Sequence, residues 1–261
     1  MISESEKIEN HFLQSTSFSP FTYHIYPISE PQNKIYDKYI KVNKETRLRY
    51  MRFGSYGLPL RGMRLRSSKM LAFLRMTAVQ LGNLGDNLAK PVDVSNHRCK
   101  CHGERIENKI VRIYEKQRNV KVIRCVKHIV NGGIPWIVAA ADGFVSKNNQ
   151  IYGVEVKFIG DKRDTSRKFI SRGLFVKRDN FWVVNPNSSG YFQMQICMLV
   201  TNLREWELVL YWRKDKTVQV FNIKRDDSLL NAIVPLLANR YFEFILPKLA
   251  EALTKLDIMT D

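Results

Sequence analysis

The stretch Trp136–Ile159 reads WIVAAADGFVSKNNQIYGVEVKFI. Trp136 to Val145 and Ile151 to Ile159 are apolar runs rich in β-branched residues, and the polar Lys147-Asn148-Asn149 between them has turn chemistry, so the stretch predicts two paired strands. Glu155 and Lys157 lie inside the second run. Residues two apart on a strand face the same side, so these two project together. The hairpin brings the Asp142-Gly143 end of the first strand beside them. Their flanks (Ile137, Val138, Val154, Val156, Phe158) are apolar. Charged groups set in such strands are costly unless they pair or hold a cation.

Working outward, Val120 to Val130 alternates and predicts a further strand, ended by the turn signal Asn131-Gly132-Gly133. Before it, Ile106, Ile110, Ile113 and Tyr114 recur at helical spacing in a helix opened by Gly103, with Glu107 at the edge of the buried stripe. Ser67 to Leu84 has a helical pattern carried by Met70, Leu71, Phe73, Leu74 and Met76, and residues 85–102 read as a loop. Downstream, Gly160 to Asn185 is a long basic connection. Ser188 to Thr201 predicts a helix, Trp206 to Trp212 and Val218 to Ile223 predict strands, and Asp226 or Asp227 caps a last helix running to about Leu256. Helix, three strands, helix, two strands, helix is an α/β order: a central mixed sheet flanked by helices. The first 40 residues mix Ser, Pro and Asn with aromatics of no clear period, and predict a loosely structured arm. The chain thus divides into an arm (1–43) and one domain (44–261). That domain has a basic N-terminal part (44–100), a core that carries the chemistry (103–225) and a C-terminal helix (226–257).

The chain has 42 Lys and Arg against 25 Asp and Glu, a formal charge of +17. An excess of that size points to a polyanionic partner, of which nucleic acid is the commonest. Residues 44–75 concentrate it, with nine basic side chains against the single acid Glu45, interleaved with Tyr50, Phe53 and Tyr56. Cations for phosphates and rings for bases suit a strand-tracking groove, although a solvated face with core aromatics has the same composition. The four cysteines (Cys99, Cys101, Cys125, Cys197) have no disulfide-framework spacing. The polar, acidic N-terminus is unlike a signal peptide, and no apolar run reads as a bilayer span, which points to a reduced, intracellular setting.

A hard-cation site needs a few carboxylates with room for water and phosphate oxygens. Asp142 and Glu155 supply the carboxylates, and the backbone carbonyl of Val156 offers another oxygen. Lys157 is placed to orient or deprotonate an attacking water, or to stabilise charge developing on phosphorus. Glu-x-Lys on a strand is by itself more often a solvated face. The order Arg61-x6-Ser68-Lys69, Gly103-x3-Glu107, Asp142-Gly143, Glu155-x-Lys157 and Gln193-x-Gln195 is more specific.

Over roughly Arg61 to Trp212 this order resembles the lambda exonuclease family, the YqaJ-like viral recombinase nucleases of the PD-(D/E)xK superfamily. The resemblance implies a restriction-endonuclease-like core in which Asp142 and Glu155 are the principal ligands of Mg²⁺ or Mn²⁺, as two ions. It implies that Glu107 supports them, that Lys157 activates water, and that Gln193 touches the reacting centre with Gln195 behind it. Arg61 and Ser68, with Lys69, Arg64 and Arg66 around them, match the residues that hold the 5′ phosphate and the DNA. The family further implies a 5′-to-3′ exonuclease on double-stranded ends, a ring-shaped trimer, and work beside a single-strand annealing protein in viral or mobile-element recombination. A viral member would act in the nucleus or cytoplasm of an infected cell. The sequence departs from the family at Ala141, where proline is usual, and at Phe158-Ile159, where Cys-Pro is usual.

Two other functions stay open on the residues alone: a structure-specific endonuclease of the same superfamily on DNA or RNA, and a non-catalytic nucleic-acid-binding module. Glu104 is a rival to Glu107, better read as a first-turn carboxylate. His97, Cys99, Cys101, His102, Cys125 and His128 have untidy spacing for zinc, and small buried cysteines with loop histidines are the simpler reading. The basic residues of Gly160–Asn185 suit either a clamp on DNA or a mobile charged loop. The four tryptophans read as core.

Overall fold

The structure, a computed structural model, describes residues 3–14, 28–41, 63–88, 97–124, 128–159, 173–179, 181–212 and 216–258. Helices α1 (Glu4–Gln14) and α2 (Glu30–Ile35), the latter continued by a π turn (Tyr36–Ile40), precede strand β1 (Leu65–Arg66). A 3-10 turn (Ser67–Lys69) then leads into α3 (Met70–Arg75), α4 (Ala78–Leu88) and the long α5 (His97–Arg118). Six strands follow: β2 (Val122–Ile123), β3 (Ile129–Val130), β4 (Ile137–Ala139), β5 (Gly143–Lys147), β6 (Gln150–Ile159) and β7 (Phe175–Arg178). The rest is β8 (Phe181–Val184), α6 (Ser189–Thr201), β9 (Glu205–Trp212), β10 (Thr217–Lys224), α7 (Asp227–Arg240), a π turn (Tyr241–Ile245) and α8 (Leu246–Ile258).

The principal sheet has the order β10-β9-β6-β5-β2, with β6 and β9 parallel and the other pairs antiparallel. A small sheet, β1-β4-β3, and the hairpin β7-β8 complete the strands. The expected mixed sheet flanked by helices is present. One face of the principal sheet (Val145, Val154, Val156, Val209, Tyr211) packs on Ile110, Val111 and Tyr114 of α5. The other face, with Phe144, Leu208 and Leu210, joins a larger core containing α6, α7 and α8. Helix α6 is buried along nearly its whole length from Phe192 to Thr201, which explains why its apolar residues encircle it. Ser188 caps it, its hydroxyl accepting the Tyr191 N–H at 3.1 Å.

Several expectations change. The described parts of the N-terminal segment are not loose: Ile8, Phe12, Ile35 and Ile40 are buried in the larger core, so these helices share one interior with the rest. Single apolar residues from short helices gave no period long enough to read. The helix expected over Ser67 to Leu84 breaks at Met76-Thr77, where Thr77 and Gln80 form a reciprocal cap (Gln80 N–H to Thr77 Oγ1, 3.3 Å; Thr77 N–H to Gln80 Oε1, 2.9 Å). The loop expected over 85–102 is helical at both of its described ends, since α4 runs to Leu88 and α5 begins at His97 rather than Gly103.

The expected strand Val120 to Val130 is two short strands in different sheets, and the expected strand Trp136 to Val145 likewise splits into β4 and β5. Asp142 lies in that second break, where the chain leaves the small sheet for the principal one. The basic connection Gly160 to Asn185 contains the β7-β8 hairpin, while residues 160–172 lie outside the described part. Trp136 and Trp206 are fully buried, as core tryptophans should be. Contrary to the expectation that no run could span a bilayer, Asp227–Lys255 is long and apolar enough by length and composition. Leu230, Val234, Leu237, Tyr241, Ile245 and Leu249 are nonetheless completely buried in the core, which accounts for the apolar character.

Two tight features set the β5-β6 hairpin. Asn148 and Asn149 both have positive φ (50° and 61°), which makes the two-residue turn between Lys147 and Gln150 that a twisted hairpin favours. Gly143 lies against Val122, and a Cβ there would come within 2.3 Å of Val122 Cγ1. Gly143→Ala should therefore destabilise the fold by about 1–3 kcal/mol, the range for overpacking. Gly82→Ala, in a helix with nothing nearer than Lys248 Cγ at 3.9 Å, should stabilise it by about 0.5–1 kcal/mol. Urea unfolding of the two variants checks the opposite signs.

Candidate active site

Strand β6 outruns β5. The last paired residues are Gly143 and Val154, and beyond them β6 continues from Glu155 to Ile159 with β9 along one edge. The Val156 N–H, pointing toward the missing β5 partner, is taken by Asp142 Oδ2 at 2.7 Å. In an extended strand the N–H and C=O of one residue share an edge, so the Val156 carbonyl opens on the same side as Asp142. The side chain of Asp142 thus closes the ladder where the backbone of β5 has turned away.

Glu155 and Lys157 project together, as strand alternation requires. Lys157 Nζ donates to Glu155 Oε1, and Gln193 Nε2 from α6 donates to the same oxygen at 2.9 Å. Glu155 is 3% exposed, and its second oxygen, Oε2, is buried with no hydrogen-bond partner. A buried carboxylate oxygen left unpaired is costly and asks for a cation.

Glu107 comes from α5, on the other side of the sheet, and is half-buried. It is held by Arg124, which sequence reading missed. Arg124 Nη2 donates to Glu107 Oε2 at 3.0 Å, its Nε to the Asp142 carbonyl at 2.9 Å, and its Nη1 to Asn108 Oδ1. The available signal was an arginine interrupting the apolar alternation right after Val122-Ile123. Among the described residues no three His, Cys, Asp or Glu side chains stand together as a ready metal cage. The oxygens that could hold a cation are those of Asp142 and Glu155 with a strand carbonyl, and Glu107 stands back in an ion pair. Two carboxylates with open coordination positions fit a hard divalent cation such as Mg²⁺.

The charges are strongly interdependent. Burial, then the adjacent Glu155 carboxylate, pushes Asp142 up to about 7, against the opposing Val156 N–H, Lys157 and Arg124. Burial and Asp142 also raise Glu107, with Arg124 and Lys157 pulling the other way. Burial alone would lower Lys157, but the Glu155 carboxylate and then Asp142 more than offset it, so the ammonium keeps its proton above the usual lysine range.

The remaining expected site residues divide. Ser68 and Lys69 are exposed on the Ser67–Lys69 turn, which packs on α6, and Arg66 is exposed on β1. Arg61 lies outside the described residues. Arg64 does not belong to a DNA surface: it is 1% exposed, and its guanidinium donates to the carbonyls of Pro135 (2.8 Å), Tyr39 (3.0 Å) and Ile40 (2.7 Å). It ties the N-terminal segment to the loop before β4. A guanidinium can satisfy several carbonyls at once, and the basic run around Arg64 concealed that use. Gln195 is also buried, donating to the Lys224 carbonyl and accepting the Asp226 N–H, so it joins β10 to α7. Of the expected zinc set, residues 97–102 have no described side chains and Cys125 lies outside the described part.

This sheet, with Glu155 and Lys157 on the end of β6 that outruns β5 and Asp142 bonded to its free edge, has the PD-(D/E)xK fold. The same fold is found in the crystal structure of LHK-Exo in complex with dAMP, at TM-score 0.55 and 19% identity over 78% of this chain and 97% of that one. It is found again in the structure of LHK-Exo, an alkaline exonuclease from Laribacter hongkongensis, at TM-score 0.52 and 19% identity over 77% and 96% of the two chains. At this identity the likeness is one of fold. No family model and no curated protein matches the sequence.

The raised Asp142 gives a signed pH dependence. Between the ordinary carboxylate value and about 7, the folded protein binds a proton that the unfolded chain has released, so this group's contribution to stability falls as pH rises through that window. Without divalent metal, the melting temperature of Asp142→Asn should gain on wild type as pH rises from 4 to 8. Mg²⁺ should shrink the gap by stabilising wild type alone. A constant difference across that range would contradict the raised value.

Proposed function

We propose that this chain is a metal-dependent deoxyribonuclease that degrades double-stranded DNA from 5′ ends. The observation that supports it best is the partnerless buried Glu155 Oε2, one residue from the Val156 N–H that Asp142 takes. In this reading Asp142, Glu155 and the Val156 carbonyl hold Mg²⁺ or Mn²⁺, as two ions, with Glu107 in support. Such a cation supplies Lewis-acid polarisation of the scissile phosphate and neutralises charge developing on it.

The chain's own groups do the rest. Lys157 Nζ, which donates to Glu155 Oε1, orients the attacking water or stabilises charge on a phosphoryl oxygen. Gln193 fixes the Glu155 rotamer through its 2.9 Å bond and offers its amide at the reacting centre. Arg61, Ser68, Lys69 and Arg66 take the terminal phosphate and the strand that bears it, by bidentate and charge-assisted hydrogen bonds. LHK-Exo is known in complex with dAMP, and a deoxynucleoside monophosphate is the product this reading expects. The resemblance extends the proposal to a trimer acting beside a single-strand annealing protein in viral or mobile-element recombination.

The test is digestion of 5′-labelled linear duplex and of a covalently closed circle in Mg²⁺. Linear DNA should lose mononucleotides from the 5′ end while circles survive, and EDTA should stop the reaction. Glu155→Gln and Lys157→Met should each lower kcat by about 10²–10⁴-fold, the range for removing a positioned catalytic group. Arg61→Ala should raise KM more on 5′-phosphorylated than on 5′-hydroxyl ends. Circles cut as fast as linear DNA would make the chain an endonuclease. Binding without cleavage, indifferent to EDTA and to Glu155→Gln, would leave only a binding module.

A further inference from the structure

Helix α5 carries a second charged feature that the catalytic reading does not use. Arg105, Lys109, Arg112 and Lys116 follow one another at spacings of four, three and four, so they form one stripe along the helix, and all four are exposed. With Asn108 and Gln117 they line an open groove of about 700 Å³. At 3.6 residues per turn, Lys109 and Lys116 lie about 160–180° around the helix from Glu107. The stripe is therefore on the back of the helix whose inner face meets the catalytic cluster.

The stripe is electrostatically unsatisfied. Like charges three or four apart on a helix are destabilising by about 0.2–0.5 kcal/mol per pair, and the stripe stacks three such pairs in a row. None of the four pairs with an acid among the described residues. Elsewhere the chain does the opposite at this spacing: Lys34 pairs with Glu30, Lys41 with Asp37, Lys7 with Glu4, and Lys248 and Lys255 with Glu251. An anionic partner with regularly spaced charges would offset the arrangement. The four span about 16 Å at 1.5 Å per residue, a length that faces roughly five successive phosphates of one B-DNA strand.

We propose that the outer face of α5 is a second binding surface for the phosphodiester backbone of duplex DNA, separate from the catalytic cleft. It seats DNA outside the reacting end and makes no base contact, because its side chains are phosphate-directed cations with no aromatic among them. Its place relative to a reacting end rests on the proposed function, but binding itself does not, and binding in EDTA tests it without catalysis.

The experiment compares wild type, Lys109→Gln/Arg112→Gln, and a control, Lys34→Gln/Lys255→Gln, which removes two cations that already have acid partners. Affinity for a fluorescent 30-base-pair duplex is measured in EDTA from about 50 to 300 mM salt. Each phosphate-bound cation contributes about 0.9 to the slope of log K against log salt, so the stripe variant should lose about 1.8 of slope and bind at least tenfold more weakly at low salt. The control should keep the wild-type slope. The substitutions are exposed, and an unchanged or raised melting temperature confirms folding. An unchanged slope in the stripe variant, or an equal loss in the control, would overturn the proposal. So would poly-glutamate binding that depends on the stripe while DNA binding does not, which would assign the face to an acidic protein. If the stripe variant behaves as expected in EDTA but the nuclease assay is negative for wild type, only the catalytic reading fails.

Discussion

The site depends on one hydrogen bond that replaces a strand. Where β5 ends, the Val156 N–H would be left open on the edge of β6, and the Asp142 carboxylate takes it. Because a strand residue turns its carbonyl to the same edge as its N–H, this bond also draws an acidic oxygen and a main-chain oxygen together. Alternation then fixes Glu155 and Lys157 as neighbours one residue to either side. The geometry needs no long loop and no induced closure: it follows from a five-residue strand paired with a ten-residue one.

Around that edge, the charges are kept in balance by elements from both faces of the sheet. Arg124 and Lys157 oppose Glu107, Asp142 and Glu155, which leaves one net negative charge when all are ionised, in a protein whose overall charge is +17. An excess of carboxylate in one buried corner of so basic a molecule favours a cation there. Burial and the adjacent Glu155 carboxylate displace Asp142 upward, which disfavours holding every carboxylate ionised there. In the proposed function the basic surface and the acidic corner have complementary uses: one collects phosphate, the other brings a counter-cation to it.

The sequence made the chemistry of β6 legible because strand periodicity is exact over short range: Glu155 and Lys157 two apart inside an apolar run can face only one way. The helices of Ser188–Thr201 and the C-terminus, and the strands β9 and β10, were legible for similar reasons, with caps at Ser188 and Asp226 that the structure uses. What escaped was set by tertiary contact. Nothing local tells that Ala140–Asp142 moves the chain between two sheets, that Ile8 and Ile40 share the interior of a domain they precede, or that Arg64 points inward to three carbonyls while its neighbour Arg66 points out. Arg124 was hidden because its partners, Glu107 and the Asp142 carbonyl, come from separate elements.

The central claim is that Asp142, Glu155 and the Val156 carbonyl form the seat of a divalent cation. Anomalous diffraction from crystals grown with Mn²⁺ addresses it without reference to any reaction. The account predicts a manganese peak about 2.0–2.3 Å from oxygens of both carboxylates, absent in Glu155→Gln crystals with the fold intact. Manganese bound elsewhere, or an empty edge at β6 with Glu155 still locked to Lys157 and Gln193 at saturating metal, would contradict it.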